Sequence, residues 1–261
     1  MIRGAFLHVT VENAEFWLPA MIRAVASEAL EEPAQIHQLA TLFRQRGAAA
    51  MFREGVVTPF QIGAMQSCAA FVHGLNQWPQ ATQVSSWANP LLDALACGYW
   101  EGARAIAQAS RDQWNPDYEY EDDFQFVRFL LEYGALEDET AAASTLERYA
   151  EVLGGPPDAR LELCTALLEQ DPELFDEALT RRLEERDESI RELILEDLIR
   201  DDAARWIAYL STEGLALLRL ASRAGLPTQP HYLHCPALAR VQSPYRYDPD
   251  AWRVLHYRPS S

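Results

Sequence analysis

The sequence predicts an all-α fold: a multi-helix bundle or helical-hairpin array with an extended C-terminal tail. Three observations predict it. Apolar residues recur at spacings of three and four through almost every long segment, as they do in helices that bury one face. Gly and Pro fall where such helices should stop and start. The 261 residues are 49% apolar and include 7 Trp, 10 Tyr and 10 Phe, enough to build a core and far more than a disordered polyanion carries.

A first region, 1–116, holds helices predicted over 13–31, 33–46, 59–74 and 88–110. Thr58 and Pro59 mark one start: the hydroxyl is placed to cap free N–H groups, and Pro stands at the first helical position, where its missing N–H costs nothing. The charge balance changes at Trp114-Asn115-Pro116-Asp117, opening a second region, 117–225. Its helices are predicted over 122–134, 140–153, 158–170, 172–186, 187–200 and 202–224. Asp122 and Asp123 occupy the first turn of the first of these, where carboxylates complement the helix dipole. Gly154-Gly155-Pro156-Pro157 is a turn. Asp171-Pro172 repeats the cap-and-start signal and leads into Phe175, Leu179 and Leu183, a stripe expected to face the core.

The last helix carries Ala203, Ile207, Leu210, Gly214, Leu217 and Ala221 at alternating steps of four and three, which is a packing seam. Leu215, Leu218 and Leu220 make its other faces apolar, so a central position is expected, with Gly225 and Pro227 as the stop. Residues 226–261, rich in Pro and Tyr, form a tail expected to pack across the helical body.

The formal net charge of −17 is concentrated in one place, because residues 117–202 carry 27 Asp and Glu against 8 Arg, a local −19. Solubility of a small domain needs a net charge of only roughly 2 to 8. A field of this sign repels nucleic acid and anionic membrane and speeds encounter with a basic partner. Every basic charge is Arg, which excludes Schiff-base and P-loop lysine chemistry. Cys68, Cys97, Cys164 and Cys235 are dispersed in apolar surroundings and read as reduced core thiols. The first residues lack the apolar middle of a signal peptide, and no uncharged run approaches the roughly 18 to 20 residues of a membrane span, so the cytoplasm is the expected compartment.

Three constellations could carry chemistry. His231, His234 and Cys235 have metal-ligand types, but Pro230 and Pro236 hold the segment extended and no fourth ligand is near, so no metal is assigned. Glu213, in an apolar helix, reads either as a general acid with a raised pKa or as half of an ion pair that fixes register. Glu119, Glu121, Asp122 and Asp123 lack the alternating acids and central Gly of a calcium loop. No Gly-x-Ser-x-Gly, His-Glu-x-x-His, Gly-x-Gly-x-x-Gly or Cys-x-x-Cys is present, so neither enzyme nor cofactor is expected.

The run Asp122-Asp123-Phe124-Gln125-Phe126-Val127-Arg128-Phe129-Leu130, the segment from Trp206 through Thr212-Glu213-Gly214-Leu215-Ala216-Leu217-Leu218-Arg219-Leu220-Ala221, then Gly225-Leu226-Pro227 and Cys235-Pro236, resemble the helical immunity proteins of bacterial polymorphic toxin systems. Within that group the chain resembles the immunity protein 49 family, over residues 85–240. The resemblance implies a cytoplasmic antidote made beside a secreted toxin, whose catalytic domain it binds and blocks. It carries over no catalytic residue and names no interface. Charge supplies that expectation: the partner is a basic, nuclease-like toxin domain, met by the acidic helix ends Glu119, Glu121, Asp122, Asp123, Glu137, Asp138, Glu139, Glu184, Glu185, Asp187 and Glu188. Trp114, Tyr118 and Tyr120 are candidate anchors amid that charge, or else core and hinge residues. The alternative function is a helical scaffold or adaptor for a basic protein or peptide.

Overall fold

Two glycines set how the first layer packs. In the computed structural model, which describes residues 5–27, 33–77, 83–155, 157–196, 198 and 206–259, helices α1 (Ala5–Ala26), α2 (Pro33–Glu54) and α3 (Thr58–Leu75) lie together at the N-terminal end. Gly47 of α2 faces Gly63 of α3. A Cβ on Gly63 would come within 2.5 Å of the Phe43 carbonyl oxygen, and one on Gly47 within 2.6 Å of the Pro59 carbonyl oxygen, so the two backbones meet with no room for a side chain.

Seven further helices follow: α4 (Asn89–Cys97), α5 (Trp100–Ala109), α6 (Glu121–Phe129), α7 (Glu139–Leu153), α8 (Ala159–Glu169), α9 (Pro172–Leu195) and α10 (Thr212–Arg223). No strand occurs among the described residues, so the all-α expectation holds. A continuous apolar core runs from Met51 and Phe60 through Leu95, Phe129, Leu167, Phe175 and Leu217 to Ala251, crossing the charge boundary near residue 116. α10 packs on α4 and is nearly engulfed, with Leu215, Ala216, Leu217, Leu220 and Ala221 all buried. The four cysteines are buried free thiols. A second cluster joins Leu18, Ile22, Leu39 and Phe43 of the first layer to Trp252 near the chain end. Tail residues reach it because the Gln66 amide donates to the Ala251 and Val254 carbonyls (3.1 and 2.7 Å).

Several helix boundaries differ from the sequence reading, among them α1, which begins at Ala5 and not at 13, and α2, which runs on to Glu54 and not to 46. The predicted helix 88–110 is two helices: Gly98, at φ +76°, ends α4, and the buried Tyr99 turns inward to donate its hydroxyl to the Gln61 carbonyl (3.0 Å). The predicted break at 187 is absent, because nothing between Glu173 and Leu195 interrupts a helix, and Asp187–Arg191 and Arg181–Glu185 support it at i, i+4. The predicted helix 202–224 begins only at Thr212. Ser211 caps it, its Oγ accepting from Gly214 N–H at 3.0 Å, so Leu210 is buried from outside the helix, and Ala203 lies outside the described residues. Thr58 does not cap α3: Val57 precedes it in helical conformation and no side chain bonds the free N–H groups, although Pro59 does sit in the first turn.

Other local signals act as their chemistry dictates. Asp171 accepts from Glu173 N–H and Leu174 N–H (3.0 and 3.1 Å), and Phe175, Leu179 and Leu183 are buried as a stripe. Beyond α10, Gly225 takes φ +78° and Leu226 N–H returns to the Ala221 carbonyl at 2.9 Å, a left-handed stop. One irregularity had no sequence signal. α6 widens into a π-helical turn, Leu130–Leu136, which carries the buried Glu132 to hydrogen bonds from Arg128 (2.5 Å) and Thr145 (2.6 Å).

Candidate functional site

The acidic region divides into carboxylates the fold consumes and carboxylates it leaves outside. Glu119 belongs to the first group and is corrected here: it is 8% exposed and accepts from Ser86 N–H at 2.7 Å, so it ties the loop before α6 to residues 85–86 and is not a surface charge. Burial raises its pKa, the Ser86 hydrogen bonds opposing. Trp114 Nε1 donates to the Glu119 carbonyl (2.9 Å), which makes Trp114 a half-covered latch on the same loop. The latch leaves Tyr118 and Tyr120 standing outward, 58% and 79% exposed.

Pairing takes several more. Glu121 is held by Arg148 (2.8 Å) and Asp123 by Arg160 (2.9 Å), while Asp122 beside them has neither partner. Asp138 caps α7 through Ala141 N–H. Glu137, at φ +58°, lies 3.6 to 3.7 Å from Arg223 and Arg104, and Glu139 is exposed. Asp187 is bonded to Arg191 (2.6 Å) and to His234 Nε2 (2.8 Å). Glu185 lies 3.8 to 3.9 Å from Arg181 and Arg182, and Glu184 and Glu188 are exposed.

Continuity of α9 brings together what the sequence reading kept apart. Glu173, Glu177, Glu184, Glu188 and Glu192 are all exposed and fall near whole turns of one helix, a row about 29 Å long at 1.5 Å per residue. Glu173, Glu177 and Glu192 were not among the expected residues, and their spacing would have found them had 172–195 been drawn as one helix. Beside the row's start opens a groove of about 480 Å³ between Pro172, Glu173, Asp176 and Glu177 on one side and Pro227 and Gln229 on the other.

Glu213 resolves to the ion pair. Its Oε1 accepts from Arg182 Nε (2.6 Å) and its Oε2 from Arg160 Nη2 (2.7 Å), fastening α10 to α8 and α9, and Arg160 adds Asp123 of α6. Burial alone would raise this carboxyl, but the two guanidiniums outweigh burial and hold it at about 2. A carboxylate so held is ionised at neutral pH and has no proton to give. His231 is exposed, His234 is spent on Asp187, and the Cys235 thiol is buried against Gly214, its pKa pushed up to about 12 by burial. No cluster of three metal-ligating side chains occurs among the described residues, and no described helix is long and apolar enough to cross a membrane.

A family model described as immunity protein 49 matches residues 33–238, most of the chain. The chain belongs to the immunity protein 49 family. The match begins well before residue 85, where the resemblance was visible in the sequence, and takes in α2 through α10. Immunity protein 49 membership implies an inhibitor of a toxin and a non-enzymatic role. The α9 row, the exposed tyrosines and the Glu213 network all fall within the matched residues, whereas α1 and Trp252 fall outside. No curated protein and no solved structure matches the chain.

Proposed function

We propose that this chain is a cytoplasmic antidote that binds the catalytic domain of its cognate toxin through the acidic outer face of α9, blocking a basic, nuclease-like cleft. The carrying observation is the row Glu173, Glu177, Glu184, Glu188 and Glu192, five exposed carboxylates on one helix side with no Arg partner among the described residues, in a family of immunity proteins. Rigid, regularly spaced carboxylates can replace substrate phosphates along a cationic cleft, and their field accelerates encounter. Tyr118 and Tyr120 supply apolar anchor surface with little conformational entropy to lose, and Asp122 extends the charge beside them. Glu121, Asp123, Glu137, Asp138, Glu185 and Asp187 contribute to the field while holding the scaffold.

The test is stopped-flow association with the toxin encoded beside this chain's gene, at low and high salt. The double variant Glu184→Arg, Glu188→Arg touches exposed helical positions and should leave folding intact. Association should slow roughly tenfold at low salt, with the gap closing at high salt. Wild-type association rates for that variant at low salt would rule out this face.

A further inference from the structure

The first helix is apolar on two sides. Leu7, Val11, Leu18 and Val25 of α1 are buried in the clusters it shares with α2. The opposite side carries Val9, Asn13, Phe16 and Ala20, all exposed and spaced by four, three and four, the interval at which one helix seats against another. A surface helix is ordinarily polar there, and one that is apolar all round is ordinarily covered. Phe16 is 74% exposed and Trp17 57%, their rings edge to face with centroids 5.1 Å apart. Trp17 is also one wall of a groove of about 500 Å³ between α1 and α2, lined further by Met21, Leu42, Gln35 and Gln38. Among the described residues no charged side chain lines it.

The charges around this face favour a copy of the same chain as its occupant. Residues 1–116 carry 9 acids against 7 Arg, whereas 117–202 carry the local −19, so two copies repel each other least at the first layer. Glu12 and Arg23, both exposed, are eleven residues apart, about three turns, and so flank the apolar row on the same edge. Glu12 has only the exposed His8 beside it (3.0 Å), while Glu15 is held by Arg46 (2.8 Å). Two α1 helices laid antiparallel about the height of Leu18 set Phe16 of each opposite Ala20 of the other, large against small. A two-fold axis faces like edges together, so the same register brings Glu12 of each copy within one residue of Arg23 of the other, and the ion pair forms twice. The 22 residues of α1 span about 33 Å, and with α2 the layer is about 20 Å wide. Such a contact covers roughly 650 Å² on each copy, the lower end of a standard interface.

We propose that the outer face of α1 is a homodimer interface: two copies meet antiparallel through α1, with Phe16 and Trp17 at the centre and a Glu12–Arg23 pair at each end. Trp17 of each copy then stands at the mouth of the other's groove, and one patch carrying both an aromatic knob and a groove serves both sides of the two-fold. α1 shares no residue with the acidic row of α9 and lies outside the residues the family model matches, so the dimer does not depend on the toxin reading.

Sedimentation velocity of the full chain from about 1 to about 100 µM, at low and high salt, tests it. A dimer of the 29.5 kDa chain is expected, held as well or better at high salt, where the mutual repulsion of two chains of net charge −17 is screened. Trp17→Glu, at an exposed helical position, should weaken the dimer roughly thirtyfold or more with the helical dichroism unchanged. Glu12→Arg sets like charges together and should weaken it too, and adding Arg23→Glu to that variant should restore it. A monomer at every concentration, wild-type dimer affinity in Trp17→Glu, or no recovery in the double charge swap overturns the proposal. A monomer whose affinity for the toxin falls in Trp17→Glu overturns it as well and makes the toxin the occupant of this face.

Discussion

Replacing Glu213 by Gln tests the electrostatic joint between α8, α9 and α10. The carboxyl lies at about 2 in the folded protein against 4.5 for the free group, a difference of about 3 kcal/mol by proton linkage. A depressed carboxyl contributes its full stability above about pH 4.5 and loses it as pH falls toward about 2. Gln keeps the shape but not the charge, so at neutral pH Arg160 retains Asp123 at 2.9 Å while Arg182 retains only Glu185 at 3.9 Å. Breaking a buried ion pair from one side costs about 3–5 kcal/mol, which agrees with the linkage value. In a chain of this size about 3 kcal/mol lowers the melting point by roughly 6–12 °C. Calorimetric melts of wild type and Glu213→Gln from neutral pH to pH about 2 should show that gap at neutral pH and its collapse on acidification. Equal melting points at neutral pH, or a gap that does not narrow as pH falls, would refute the account.

Other consequences are as direct. His37 is lowered to about 4 by burial and by Arg44, so stability should fall as pH drops from 6.5 toward 4, by about 2 kcal/mol after allowing for its partial exposure, and His37→Gln should flatten that limb of a denaturation profile. Gly63→Ala drives a methyl to 2.5 Å from the Phe43 carbonyl, a backbone atom that cannot swing aside; a loss of about 3 kcal/mol by urea unfolding is expected, and a loss under about 0.5 would contradict the close approach of α2 and α3. Trp252→Ala empties the fully buried tail anchor and should cost about 3–5 kcal/mol, while Tyr120→Ala, at an exposed ring, should leave the unfolding midpoint unmoved.

Signals that act within one turn of chain were legible. Asp171 caps because its own side chain reaches the N–H groups two and three residues on, and Phe175, Leu179 and Leu183 share a face by helical period alone. Gly98 was hidden inside an apolar periodic run, and only the inward turn of Tyr99 toward α3 gives its left-handed backbone a purpose. The opposite error hid α9, where a dense charge run resembled a helix end although every residue in it tolerates a helix interior. Which acids remain free was beyond sequence altogether. Glu213 is met by Arg160, 53 residues away, and Glu119 by the backbone of Ser86, 33 residues away, so the division into scaffold and surface exists only after folding.

The tail's grip on the first layer has a consequence for how this protein comes into being. Synthesis delivers α1, α2 and α3 first, yet Trp252 fills their cluster and Ala251 and Val254 satisfy the Gln66 amide. Until those late residues leave the ribosome, the earliest helices wait with an open apolar seat. A chain ended before Ala251 keeps that seat open and leaves the Gln66 amide without its two carbonyl acceptors.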